Sequence, residues 1–154
     1  MNLRNFAHKS NFIFETNLFG ENTTYSIQGV NLPGVSLNPV DTSHRGMNLS
    51  FQGDTLNYND LNVDLILDED FSNWLEIMEH INKMREIGGD TGNLDEKTST
   101  LFVQNENEKT LFKINFYNCK VINISDLEFS SNEDDDEEIT FNITIKYDYY
   151  KIEK

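Results

Sequence analysis

The chain has one cysteine in 154 residues, Cys119, which excludes an internal disulfide and fits a reducing compartment. Its two prolines, Pro33 and Pro39, lie close together, so proline breaks the chain at one place only. Basic residues are scarce: 12 Lys and Arg stand against 27 Asp and Glu, a formal net charge of −15. That balance leaves no electrostatic footprint for gripping phosphates, which excludes a duplex-binding protein. It suits a surface that nucleic acid passes without adhering. No apolar run approaches the ~20 residues a bilayer span requires. The first fourteen residues lack the apolar block of a signal peptide. The expectation is a soluble, acidic, intracellular single domain.

What is present argues for a folded core. Only 37% of residues are hydrophobic, yet 12% are aromatic, including 11 Phe and 6 Tyr, the types a disordered chain lacks. At this length roughly 70% of the unfolded surface can be buried. Asparagine is abundant, with 21 copies spread through every element, a compositional imprint with no mechanism attached.

Periodicity reads mainly as strand. Ile139, Phe141, Ile143, Ile145, Tyr147 and Tyr149 alternate with polar residues, which predicts one long strand near the C-terminus. Asp60 to Leu67 repeats the pattern with Leu61, Val63, Leu65 and Leu67 on one face. Shorter strands are predicted at Phe12 to Glu15, Thr24 to Gln28, Met47 to Gln52, Thr98 to Val103 and Thr110 to Tyr117. One helix interrupts them over about 71–87: Phe71, Trp74, Leu75, Met78 and Ile81 form an apolar stripe. Asp68, Glu69 and Asp70 suit its positive end, Ser72 is a candidate cap, and Gly88-Gly89 stops it. Pro33 to Pro39 reads as an extended surface loop, Gly88 to Lys97 as a glycine-rich loop, and the block from Ser130 to Glu138 as a solvated turn between strands.

Chemical motifs are thin. Asp90-Thr91-Gly92 spells the aspartic-protease triplet, but two glycines precede it where that chemistry needs apolar strand, and a flexible loop cannot hold paired carboxylates. The acidic run Glu133 to Glu138 lacks the spaced ligands and central glycine of a calcium loop. His8, His44 and His80 have no partner at zinc-ligand spacing, and His80 reads as a surface residue on the helix edge. Cys119 reads as a small, partly buried side chain. The four sequons, at Asn22, Asn48, Asn123 and Asn142, follow from the abundance of asparagine. No catalytic residue, cofactor or metal is implied.

A longer pattern is informative. Gly53-Asp54 with Leu56, Tyr58, Leu61 and Val63 precedes Asp68-Glu69-Asp70 and then Trp74-Leu75-Glu76-Ile77. Upstream stands Asn31-Leu32-Pro33-Gly34-Val35; downstream, Phe116 to Leu127 is followed by Phe141 to Tyr150. This ordered set, over about residues 11–150, resembles the tail tube and tail completion (tail terminator) proteins of contractile-tailed bacteriophages. The resemblance implies a mainly β (α+β) fold, a β-sandwich or partial barrel with one flanking helix. It further implies a short N-terminal arm (1–10) and one tail-tube-like domain (11–154).

The function so implied is structural. Six copies close into a ring whose neighbouring sheets pair around a lumen, and the wording of the motifs sits closer to the terminator than to the major tube protein or a baseplate-side initiator. Implied partners are further copies of the chain, adjacent tube rings, sheath or neck proteins, and genomic DNA passing without specific binding; no membrane is involved. The implied location is the virion tail, after assembly in the host cytoplasm. A different class, a monomeric β-rich binding module, remains open on the same pattern. The residues singled out for subunit contact are Pro33, Gly34, Asp54, Tyr58 and Trp74, with Tyr58 as the natural anchor of a projecting arm from Gly53 to Asp60. Trp74 reads more economically as filling the chain's own core.

Overall fold

A computed structural model describes residues 7–37, 40–44, 47–51, 56–87, 97–131 and 138–154. In chain order its elements are β1 (Phe12–Thr16), α1 (Glu21–Tyr25), β2 (Ile27–Val30), β3 (Val35–Leu37), β4 (Val40–His44), β5 (Met47–Phe51), β6 (Leu56–Tyr58) and β7 (Leu61–Ile66). There follow α2 (Ser72–Ile87), β8 (Ser99–Gln104), β9 (Thr110–Tyr117), β10 (Lys120–Ile124), β11 (Thr140–Lys146) and β12 (Tyr149–Glu153).

Two four-stranded antiparallel sheets enclose the core, one ordered β1-β8-β9-β12 and the other β10-β11-β7-β2. Alternation fixes which side chains meet. In the second sheet Phe141, Ile143 and Ile145 stand opposite Leu65, Val63 and Leu61, and all six are buried. In the first, Phe14 pairs with Leu101 and Leu101 with Ile114, again all buried. Each such side chain contributes roughly 1.5–3 kcal/mol through the water it sheds. Of the predicted α2 stripe, Trp74 and Ile81 pack partly buried against the core, but Leu75 is exposed; the fully buried apolar residue of the helix is Ile77, which the predicted stripe left out.

The predicted long C-terminal strand is two strands. It breaks at Tyr147-Asp148, and its halves lie in different sheets: β11 pairs with β7 and β10, while β12 pairs with β9. The chain makes the same change of sheet between β9 and β10, where Asn118 adopts φ 57, a left-handed conformation that asparagine tolerates. The two bends are tied together. Asn118 Nδ2 donates to Asp148 Oδ2 at 2.8 Å, and the Asp148 amide donates to the Tyr117 carbonyl at 3.0 Å. A two-stranded ribbon thus turns the corner from one sheet to the other. After the bend Tyr150, not Tyr149, packs against the core.

Two further expectations are corrected. Thr24 and Tyr25 belong to α1 rather than a strand, because Glu76 of α2 reaches across to this segment. Its carboxylate accepts from the Gly20 amide and, at 2.5 Å, from the fully buried Thr23 hydroxyl. The Pro33 to Pro39 segment is extended as expected, but Val35–Leu37 is a strand, laddered to β6 in the register Val35↔Tyr58, Leu37↔Leu56. β4 pairs with β5 from Val40↔Phe51 to His44↔Met47, nested inside β3 and β6. This four-strand nest forms a β-arm. Pro39, Gly53, Asp54, Asp90-Thr91-Gly92, Gly88-Gly89 and the acidic residues 133–137 lie outside the described residues.

Helix α2 starts differently from expectation too. Phe71, at φ 61, takes the cap position, its carbonyl accepting from the Leu75 amide at 3.0 Å. Asp70 Oδ1 accepts from the Ser72 amide at 3.1 Å, which holds the Asp70 carboxyl below its usual range. Ser72 is therefore the first helical residue, its hydroxyl donating to Asp68 Oδ2 at 2.8 Å.

Candidate assembly surfaces

The root of the β-arm gathers three of the five residues singled out in the sequence. Pro33 is buried, and its carbonyl accepts from the Tyr150 hydroxyl at 3.1 Å. The Gly34 carbonyl accepts from the Asn59 amide at 3.0 Å, closing the ladder at its base. Tyr58 does not project outward: its ring meets Tyr147 and Tyr150 edge-on, with centroids 5.9 and 5.2 Å apart. Tyr147 completes the clamp, its hydroxyl donating to the Asn59 carbonyl at 2.7 Å. One phenol thus holds the strand entering the arm and another the strand leaving it. Burial pushes the hydroxyl pKa of both Tyr147 and Tyr150 up, so each remains a donor through neutral pH.

The fourth residue, Trp74, is half-buried against the chain's own core at the start of α2. The fifth, Asp54, lies outside the described residues. Sequence reasoning missed Tyr147 and Tyr150 because they sat in a pattern that reads as one uninterrupted strand. The available signal was the doublet Tyr149-Tyr150, where two bulky neighbours cannot share a face.

Beyond its root the arm exposes apolar side chains, Val35, Leu37 and Leu56, and Leu32 precedes it exposed as well. A second feature, of mixed polar and apolar lining, lies beside β1. There a groove of about 560 Å³ is bounded by β1, α1 and the start of β2, with Phe12, Phe14, Tyr25 and Ile27 in its walls. Both sheets end in strands whose outer edge has no ladder partner among the described strands: β1 and β12 in one, β10 and β2 in the other.

Little in the described residues suits catalysis. No group of three His, Cys, Asp or Glu residues there is placed to hold a metal ion. Cys119 is buried, and burial raises its thiol pKa, which favours the unreactive thiol. His80 is half-buried rather than a surface residue: its ring meets Phe19 edge-on at 6.0 Å and its Nε2 is buried without a hydrogen-bond partner among the described residues. Burial, then the charges of Lys97 and Lys83, lower its pKa. No helix among the described residues is long and apolar enough to cross a membrane.

The architecture has clear counterparts. The sheath/tube terminator of an extracellular contractile injection system (PVC, extended state) superposes with a TM-score of 0.73, covering 99% of this chain and 100% of that one at 13% identity. The tube-terminating cap of the anti-feeding prophage gives 0.71 over 100% and 95% of the two chains, also at 13% identity. These likenesses define the fold as the tube-type β-sandwich of contractile injection machines.

No family model matches the chain. Its sequence, however, is 31% identical over 140 residues to the tail tube terminator protein of Enterobacteria phage T4, covering 85% of this chain and 78% of that protein. The chain belongs to the tail tube terminator family, whose members are structural proteins of contractile tails. The preference for terminator over major tube or initiator, read from the motif wording, is borne out.

Proposed function

We propose that the chain is a non-enzymatic virion protein that closes into a six-membered ring and ends the tail tube at its head-proximal side. The observation that carries this reading is the identity with a tube terminator across most of both chains. Physical features of the molecule support it. Long, well-patterned sheets with free edges are an aggregation hazard in a monomer, and pairing between copies removes it. A head-to-tail contact that closes gives a ring rather than a filament.

The ring contacts the last tube ring on one side and sheath or neck proteins on the other, with the exposed apolar side chains of the arm as a contact surface. Genomic DNA passes the lumen without specific binding, because a charge of −15 per copy repels phosphate. Assembly takes place in the host cytoplasm and the finished location is the virion tail. Pro33, Gly34 and Tyr58 serve the ring by fixing the direction of the arm, and Trp74 serves its own core.

Native mass spectrometry across a concentration series, with negative-stain images, tests the proposal. Closed hexamers support a terminator. Stacked tubes of indefinite length move the assignment to the major tube protein. A chain that stays monomeric alone and in the presence of its tube favours a binding module. Asp90→Asn leaves assembly unchanged if the protease triplet is accidental.

A further inference from the structure

We infer that residues 1–6 fold back beside β1 of their own chain as a strap, antiparallel to it with Arg4 opposite Glu15, and occupy the groove between β1 and α1. The inference goes beyond the ring reading and does not depend on it.

A reversal in the chain supplies the first argument. Just before β1 the Asn11 amide donates to the His8 carbonyl at 3.3 Å, so His8–Asn11 is a tight turn. His8 Nε2 lies 3.1 Å from Glu106 Oε1, in the turn between β8 and β9, which ties the reversal to that end of the first sheet. A chain reversed there runs back alongside the strand it precedes. Residues 1–6, extended, span about 20 Å against about 17 Å for the five residues of β1.

The edge they meet is open and has the matching parity. The Asn11 carbonyl accepts from the Gln104 amide and the Asn17 amide donates to the Thr98 carbonyl, so both point toward the β8 side. Backbone groups alternate along a strand, so Phe12, Phe14 and Thr16 turn theirs to the outer edge, which no described strand pairs. A four-residue turn at His8–Asn11 puts Ala7 opposite Phe12, Asn5 opposite Phe14 and Leu3 opposite Thr16, the hydrogen-bonded positions of such a ladder. Ala7 is exposed and outside any described ladder, so closure starts at the turn and zips along β1.

Charge complementarity names the occupant. In a chain of net charge −15, residues 1–14 carry Arg4 and Lys9 and no acid; the first acid is Glu15. Glu15 and Glu21 lie in the groove wall with Phe12, Phe14, Tyr25 and Ile27. Glu15 is exposed and has no ion-pair partner among the described residues. The register set by the turn brings Arg4 directly opposite it. The same register brings Phe6 opposite Ile13, which is 45% exposed and has Phe102 as its neighbour on β8. A slip of two residues puts Arg4 against Ile13 or Asn17 and loses the charge pair. An isolated two-stranded hairpin is marginal in water, so the strap docks once α1 and Ile27 supply the far wall. In the free chain it then withholds the β1 edge from stray strands.

The test uses the full chain. Arg4→Cys with Glu15→Cys places two thiols across a non-hydrogen-bonded pair, about 4.5 Å between Cα atoms, a separation that a disulfide spans. Cys119 is buried out of reach. After mild oxidation and alkylation in denaturant, intact mass is expected to show a single labelled thiol, that of Cys119, on a monomer-sized chain. The off-register pair Asn2→Cys with Glu15→Cys is expected to close about tenfold more slowly. Three labelled thiols, or equal rates for the two pairs, overturn the strap. Disulfide-linked dimers or longer species place residues 1–6 in the groove of a neighbouring copy and overturn the assignment to their own chain. Independently, removing residues 1–6 is expected to speed amide exchange at Phe14 and Thr16 about tenfold, with the circular dichroism unchanged. Unaltered exchange at those two amides overturns the inference.

Discussion

Asn73 is the side chain whose loss is expected to cost most for its size. It is fully buried at the start of α2 and knits three segments together. Its Nδ2 donates to the Ile66 carbonyl at 2.6 Å and to Ser26 Oγ at 3.1 Å, while its Oδ1 accepts from the Asp68 amide at 3.2 Å. The end of β7, the turn after α1 and the entry to α2 thereby share one amide group. Asn73→Ala removes these three bonds, and a fourth that Oδ1 accepts from the Trp74 amide at 2.9 Å, and strands at least the Asp68 amide. At about 0.5–1.5 kcal/mol per bond, with the penalty for a stranded buried group, the expected loss is about 3 kcal/mol. For a chain of this length that lowers Tm by roughly 6–12 °C.

The assay is urea unfolding at one fixed protein concentration, since association adds to apparent stability. Asn73→Leu keeps the volume and is expected to lose as much, which separates hydrogen bonding from packing. A double-mutant cycle with Ser26→Ala is expected to show coupling of about 1 kcal/mol. If Asn73→Ala stays within about 0.5 kcal/mol of the parent, the account of a shared amide is wrong.

Other outcomes follow from the same geometry. Tyr147→Phe keeps the ring but removes the bond to Asn59, costing about 1 kcal/mol and increasing protease cleavage within the arm before the body is cut. Because its folded-state hydroxyl pKa is raised, Tyr147 contributes stability that is complete below about pH 10 and declines as pH rises past that value. Tyr147→Phe is expected to flatten that alkaline slope in urea melts. His80 has the opposite sign: its folded pKa is lowered, so the unfolded chain takes up the proton first, and stability falls as pH drops through about 6.5 toward the lower folded value. His80→Gln should shrink the difference in urea midpoint between pH 7.5 and 5.5. Gly20→Ala places a Cβ 3.0 Å from Glu76 Oε1, displacing the carboxylate that holds α1, with an expected cost of about 1–2 kcal/mol by thermal melt.

How much of this was legible follows from which forces are local. β7, β9 and α2 were readable because each buries one face and repeats that choice along its length: Leu61, Val63 and Leu65 at period two, Trp74 and Ile81 at helical spacing, although the buried face of α2 is centred on Ile77 and leaves Leu75 exposed. The bend at Tyr147-Asp148 was not, since alternation continues unbroken through it and the cause lies thirty residues away, in Asn118. α1 was hidden for the same reason. Thr23 and Thr24 favour strand by themselves, and only Glu76, far along the chain, pulls them into a helical turn. At the arm, Pro33, Gly34 and Tyr58 stood out by type, but the hydroxyls that anchor them come from β12 and the bend before it.

The order of strands in the first sheet sets a timetable for folding. β1 has no ladder partner until β8 exists, and the contact that closes their pairing, Ser99 Oγ to Thr16 Oγ1, spans 83 residues. At roughly 5–20 residues per second, ribosomal synthesis leaves β1 waiting about 4–17 s with both edges open. The second sheet cannot be completed earlier, because β11 is one of its two central strands and emerges later still. The nested arm and α2 are made of local contacts and can form in that interval. Nascent chains on neighbouring ribosomes would therefore present unpaired β1 strands together, and crowded translation is when this protein is most exposed to mispairing.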